Sequence, residues 1–201
     1  MTPVFSDLRI FLYGPPGSGK STLGKALAEA LALPFADLDE RIVRAARCPV
    51  PRIFEQEGEA GFRSRERDAL RALCAGAPAV IALGGGALLD DANRALAEAA
   101  GRVVCLDASV ETLVRRTAAQ PGARPLLVAR EAPAEAKLAE LLARRRPHYA
   151  SFPLRLAVTN AVPGVHLRAL QAALGQYRVS GMGEPYTLRQ DLLTPEIPQD
   201  G

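Results

Sequence analysis

Residues 14–22 read GPPGSGKST, a spacing that wraps phosphate. Gly14, Gly17 and Gly19 let the backbone close around an anion with no Cβ in the way. N–H groups opening onto a helix start, together with the helix dipole, favour negative charge there. Lys20 adds a mobile cation for β- and γ-phosphates, the Ser21 hydroxyl is a ligand for Mg²⁺, and Ser18 and Thr22 complete the cradle. The flanks supply the context such a loop needs. Arg9-Ile10-Phe11-Leu12-Tyr13 reads as a buried strand, and Leu23, Leu27 and Leu31 recur on one helix face. A Gly/Pro-rich turn that merely holds a lysine would lack both flanks. The chain is expected to bind a nucleoside triphosphate.

Further residues suited to chemistry follow in order. Leu33-Pro34-Phe35-Ala36-Asp37-Leu38-Asp39 reads as a second strand, whose period of two puts Phe35, Asp37 and Asp39 on one face. One carboxylate there can approach Mg²⁺ and the other can accept a proton from a hydroxyl; the same two also suit the start of a helix near Glu40. Arg63 and Glu66 become neighbours if residues 40–72 are helical, as their charged pattern suggests. A guanidinium oriented by Glu66 beside Phe62 suits an acid with an apolar ring, although a solvated helix face reads the same way. Ala79-Val80-Ile81-Ala82-Leu83 is an apolar strand running into Gly84-Gly85-Gly86, which offers close approach to a ligand, or simply a flexible turn. Residues 118–134 break pattern and carry Arg124 in Arg-Pro-Leu-Leu: a lid whose arginine closes over a moving phosphoryl group, or an ordinary solvated loop. A helix from Ala134 is expected to end at Arg144-Arg145-Arg146, where cations complement the dipole. His148 has no visible acid–base partner and reads as structural or exposed.

The elements that must position these residues alternate. Helical patterns at residues 90–99, from Ser109, from Ala134 and over Val165 to Leu174 separate strands at Arg102–Asp107 and Leu154–Val158. That alternation predicts an α/β fold, a doubly wound parallel sheet of about five strands with helices on both faces. At 201 residues the chain fits a single domain with an appendage, residues 1–175 and a tail at 176–201 whose Gly/Pro content suggests a linker or docked, partly disordered extension. The hydrophobic fraction of 48% supports a substantial core. Net charge is +3, lysine occurs only at Lys20, Lys25 and Lys137, and the arginines are interleaved with acids. That scatter favours small anionic partners over nucleic acid. Cys48, Cys74 and Cys105 show no metal-ligand spacing and read as reduced thiols. With no apolar run of membrane-spanning length and no leader pattern, the expected location is the cytoplasm.

Jointly, the P-loop, Asp-x-Asp, Gly-Phe-Arg, triple-glycine and Arg-Pro-Leu-Leu motifs resemble the shikimate kinase family, over about residues 8–174. The resemblance implies a nucleoside-monophosphate-kinase-like P-loop fold, ATP and Mg²⁺ as cofactors, and phosphorylation of the 3-hydroxyl of shikimate by a monomer. It assigns Lys20 to the β/γ-phosphates, Ser21 and Asp37 to the metal, and Asp39 to the reacting hydroxyl as base. Phe62, Arg63, Gly84, Gly85, Gly86 and Arg145 would line the acceptor pocket, with Arg63 and Arg145 on its carboxylate. Arg124 would be the lid arginine, and Arg116 and Pro163 the two walls around adenine. Cys48-Pro49-Val50-Pro51 departs from the family pattern and suggests a stiffer hinge; Val43, the lid spacing and Asn160-Ala161-Val162 depart as well. The residues around Val179–Tyr186 faintly resemble the opening of 3-dehydroquinate synthase, as in a kinase–synthase fusion. The alternatives are a gluconate or nucleotide kinase of the same fold, and a non-catalytic sensor of a small acid.

Overall fold

Strand β1 (Ile10–Tyr13) is apolar along its whole length and lies inside a parallel sheet, sheltered from water on both faces. In the computed structural model, which describes residues 9–118, 134–159, 163–180 and 186–187, the sheet runs β2 (Phe35–Asp37), β3 (Val80–Ala82), β1, β4 (Arg102–Asp107), β5 (Leu154–Ala157), β6 (Tyr186–Thr187). Every pairing is parallel, with Ile10 opposite Val80 on one side and Arg102 on the other. The helices are α1 (Lys20–Leu31), α2 (Leu38–Ala46), α3 (Val50–Ala75), α4 (Asp91–Ala100), α5 (Val110–Ala118), α6 (Ala134–Ala150) and α7 (Pro163–Ser180).

The period-two alternation of the strands divides the core. Phe11, Tyr13, Ile81, Val103 and Cys105 meet Leu38, Ile42, Ile53, Leu70 and Ala97 from α2, α3 and α4. Ile10, Leu12, Val80, Val104 and Leu106 meet Leu23, Leu27 and Leu31 of α1 and Leu170, Ala173 and Leu174 of α7. Each buried Leu or Ile in these seams stabilises the fold by about 1.5–3 kcal/mol. Exposed pairs such as Arg52–Glu55 and Glu140–Arg144 contribute at most about 1 kcal/mol each. The two apolar layers therefore hold the sheet, and the charges only decorate it.

The expected doubly wound architecture is present, with five strands in its body and β6 added at one edge. Several local expectations are corrected. The second strand stops at Asp37 rather than running to Asp39, because the Asp37 carboxylate caps α2, accepting from the N–H groups of Asp39 (3.0 Å) and Glu40 (3.4 Å). Asp39 thus sits on a helix and not on the strand face shared with Phe35. Pro49 and Pro51 start α3, where a missing N–H costs nothing; the break in that element falls instead at Gly58, whose φ of 67° is reserved in practice for glycine. Helix α6 does not end at Arg146 but continues through Pro147 to Ala150, its last turn anchored by the buried Tyr149. Helix α7 begins at Pro163 and extends beyond Leu174 to Ser180, crossing the boundary expected at residue 175. Of the tail, Tyr186–Thr187 pairs with Leu154–Arg155 on β5; most of the stretch resembling a synthase lies outside the described residues.

Gly101, between α4 and β4, packs so closely that a Cβ there would stand 2.3 Å from the Arg9 carbonyl oxygen. Backbone cannot move aside as a side-chain tip can, so Gly101→Ala should cost about 1–3 kcal/mol. A thermal melt should register this as a drop of several degrees, roughly 2–4 °C per kcal/mol.

Candidate active site

The carboxyl ends of β1, β3 and β2 open onto one crevice, where open parallel sheets hold their ligands. From β1 the chain enters the phosphate loop. Gly14 has φ 132°, and a Cβ on it would lie 2.4 Å from the Leu106 carbonyl oxygen, so this turn cannot carry a side chain. Gly19 caps α1 in the left-handed conformation, and Lys20 opens the helix. The Lys20 ammonium donates to the carbonyls of Gly14 and Pro15, both at 2.9 Å, and so is folded over its own loop. Ser18 is buried, and its Oγ has no hydrogen-bond partner among the described residues, as suits a hydroxyl lining a phosphate cradle. Thr22 is exposed on the first turn of α1.

Ser21 Oγ donates to Asp37 Oδ2 at 2.8 Å on the exposed side of the loop. Two hard oxygen donors beside a phosphate cradle fit Mg²⁺, which takes a few protein oxygens and keeps its remaining positions for water and phosphate. The donor set is suitable. Asp37 thereby serves both as the cap of α2 and as the acid nearest the loop.

After β3 comes Gly84-Gly85-Gly86, and each glycine faces a different functional element. A Cβ on Gly84 would lie 3.1 Å from Asp39 Oδ1 and 3.2 Å from Glu66 Oε1. One on Gly85 would meet the Gly14 carbonyl and Pro16 Cδ of the phosphate loop, both at 3.2 Å. One on Gly86 would lie 3.0 Å from both terminal nitrogens of Arg63. Arg145 reaches the same turn from α6, donating through Nη1 to the Gly85 carbonyl at 3.2 Å. The structure thus brings Asp39, Arg63, Arg145 and the three glycines together beside the phosphate loop. None of the three glycines has positive φ, so closeness to neighbours, side chains at Gly84 and Gly86 and the phosphate-loop backbone at Gly85, rather than an unusual backbone conformation, is what favours their lack of a Cβ.

Arg63 is held from two sides, by Glu66 at 2.7 Å and Glu59 at 3.2 Å. Burial disfavours its charge, but those carboxylates push its pKa upward. Glu66 is buried, and burial raises its pKa; the Asp39 charge adds to that, while Arg63 and Arg145 pull the other way. Phe62 lies buried against Phe54, with ring centroids 4.8 Å apart, and beneath the Arg63 guanidinium. It therefore supports Arg63 from the core side. On the opposite flank Arg116 donates to the Thr159 carbonyl at 2.8 Å, and its Nη1 lies 3.8 Å from the Cβ position of Gly19, which puts it against the phosphate loop. Pro163 opens α7 just beyond. Arg124 lies outside the described residues. His148 packs edge-on against Tyr13 and Phe152, in keeping with a structural role. Among the described residues, no group of three or more His, Cys, Asp or Glu side chains could hold a metal ion by itself.

Sequence reasoning passed over two residues. The hydroxyls of Tyr13 and Tyr149 also donate to the Gly85 carbonyl, at 3.3 Å and 2.8 Å. The available signal was a tyrosine ending an otherwise aliphatic strand, since a buried phenol needs a partner for its hydroxyl.

A P-loop beside a pocket bearing an acid, two arginines and a glycine turn defines a phosphotransferase for a small anionic acceptor. The sequence profile of the shikimate kinase family matches residues 16–167. A shikimate kinase of Pseudomonas fluorescens (strain Pf0-1) is 49% identical over 140 residues, covering 70% of this chain and 80% of the relative. Among solved structures, shikimate kinase from Acinetobacter baumannii in complex with shikimate superposes with a TM-score of 0.80 at 36% identity, covering 88% of this chain and 98% of that one. The enzyme from Bacteroides thetaiotaomicron gives a TM-score of 0.75 at 32% identity, covering 84% and 98%. The chain belongs to the shikimate kinase family.

The Glu66 carboxyl supplies a pH test. Its native pKa lies above the ordinary 4.5, so between the two values the native state holds more protons than the unfolded chain, and stability falls as pH rises through that window. Glu66→Gln does not titrate. Melting temperatures measured against pH should therefore shift in favour of the Gln variant as pH climbs from 4.5, and the gap should level off once Glu66 is fully ionised.

Proposed function

We propose that this chain transfers the γ-phosphoryl group of ATP to the 3-hydroxyl of shikimate. The observation that carries this reading is the convergence of Asp39, Arg63 and Arg145 on one glycine turn that also abuts the phosphate loop. Two arginines converging there suit a ring-borne carboxylate. Neither gluconate nor a nucleoside monophosphate calls for that arrangement together with a general base at Asp39.

In the proposed reaction the P-loop N–H groups and Lys20 hold the β- and γ-phosphates, Lys20 leaving the Gly14 and Pro15 carbonyls to do so. Arg63 and Arg145 bind the acceptor carboxylate and orient the ring. Asp39 accepts a hydrogen bond from the 3-hydroxyl and takes its proton as the oxygen attacks the γ-phosphorus; the bond from that phosphorus to the bridging oxygen breaks, and ADP leaves. Mg²⁺, held by Ser21 and Asp37, supplies neutralisation of the phosphate charge when bound. Arg116 and Pro163 flank the adenine, and Arg124 closes from the segment 118–134, keeping water from the phosphoryl group. The family's soluble, small-molecule chemistry is consistent with a cytoplasmic setting, and no helix among the described residues is long and apolar enough to cross a membrane.

A coupled assay of ADP release should show turnover with shikimate and none with gluconate or nucleoside monophosphates. Asp39→Asn should bind ATP normally and lose about a hundredfold or more in turnover, the size expected when a general base is removed. Turnover at the wild-type rate in that variant removes Asp39 from the role.

A further inference from the structure

The Gly85 carbonyl receives three donors: Tyr149 at 2.8 Å, Arg145 at 3.2 Å and Tyr13 at 3.3 Å. A carbonyl oxygen has two lone pairs, so this acceptor is oversubscribed. Of the three, only Arg145 has the charge to bind an acid; both phenols are buried, with ring centroids 5.5 Å apart. Burial also pushes the Tyr13 and Tyr149 pKa values upward, so both stay protonated donors at any working pH. Arg145 stands close enough to the Tyr149 hydroxyl to donate to it as well.

We propose that Tyr13 and Tyr149 are positioning residues for the acceptor, keeping the Gly85 carbonyl hydrogen-bonded so that Arg145 can release it and turn to the substrate carboxylate. Without the phenols, Arg145 is the one remaining donor of the three. Binding an acid would then strip a partly buried carbonyl of its partner, and that cost falls on acceptor affinity. The same peptide unit carries Gly86 against Arg63, so a Gly85 carbonyl fixed from below also fixes the surface facing the second arginine. This inference rests on the shikimate reading and adds to it a specific dependence on two buried hydroxyls.

The test is steady-state kinetics on Tyr149→Phe, Tyr13→Phe and the double variant, each shown by thermal melt to be folded, with shikimate and ATP varied in turn. The double variant should raise KM for shikimate about three- to tenfold, the equivalent of one hydrogen bond, and each single variant, whose second phenol still holds the Gly85 carbonyl, by only about twofold, while kcat and KM for ATP stay within about twofold throughout. In an Arg145→Met background the two Tyr→Phe changes together should have no further effect on KM for shikimate, because the hydroxyls act through that arginine. An unchanged KM for shikimate in the folded double variant overturns the inference, as does a parallel loss in both KM values and kcat, or the full double-variant penalty in the absence of Arg145. Wild-type protein that releases no ADP with shikimate overturns the functional reading itself, and this inference with it. Should the double variant fail to fold, Tyr149→Phe alone, which leaves the carbonyl only the 3.3 Å bond from Tyr13 once Arg145 turns away, keeps the question decidable: a rise in KM for shikimate of about twofold that disappears in the Arg145→Met background is expected, and no rise overturns the inference.

Discussion

The whole arrangement depends on three positions at the end of β3 having no side chain. A Cβ at Gly84 or Gly86 would press at 3.0–3.2 Å on the side-chain ends of Asp39 and Glu66 or of Arg63, displacing them by a few tenths of an ångström, and one at Gly85 would press on the backbone of the phosphate loop. Those separations are tighter than ordinary van der Waals contact, so added bulk there moves the charged groups that the turn faces. The turn is thus a spacer of minimum thickness between the phosphate cradle and the proposed acceptor pocket. In-line transfer requires the attacking oxygen and the phosphorus to come within bonding reach, so the thickness of that spacer bears directly on the chemistry.

Everything around the turn serves to hold charge at fixed places. Arg63 on α3 is gripped by a buried Glu66 and an exposed Glu59, and rests on Phe62. Arg145 comes from a helix that continues past a proline because Tyr149, one turn on, is buried and bonded to the same turn. Leaving Glu66 ionised in so dry a place is unfavourable, as its raised pKa records. The cost is the kind that active sites carry when a guanidinium must be oriented before its ligand arrives.

The fold was legible from periodicity: apolar runs at residues 10–13, 80–82 and 103–106 are strands, and the Leu23, Leu27, Leu31 spacing is a helix packed on them. The candidate site was legible as a list of residues, of which the structure brings Asp39, Arg63, Arg145 and the three glycines together. Its assembly was not. Asp37 and Asp39 looked like strand neighbours, but capping of α2 separates them and sends one toward Ser21 and the other toward Gly84. Pro147 looked like a helix end, but the helix runs on to Ala150, where Tyr149 is buried in the core and bonded to Gly85, 64 residues away in sequence. Tyr13 went unread for the same reason: its partner is 72 residues distant, and no local pattern encodes it.

The Lys20 ammonium is seated on the carbonyls of Gly14 and Pro15, whose partial negative charge already answers its own. An arriving triphosphate meets a cation that is occupied, so its attraction to Lys20 is offset by the two carbonyl contacts it displaces.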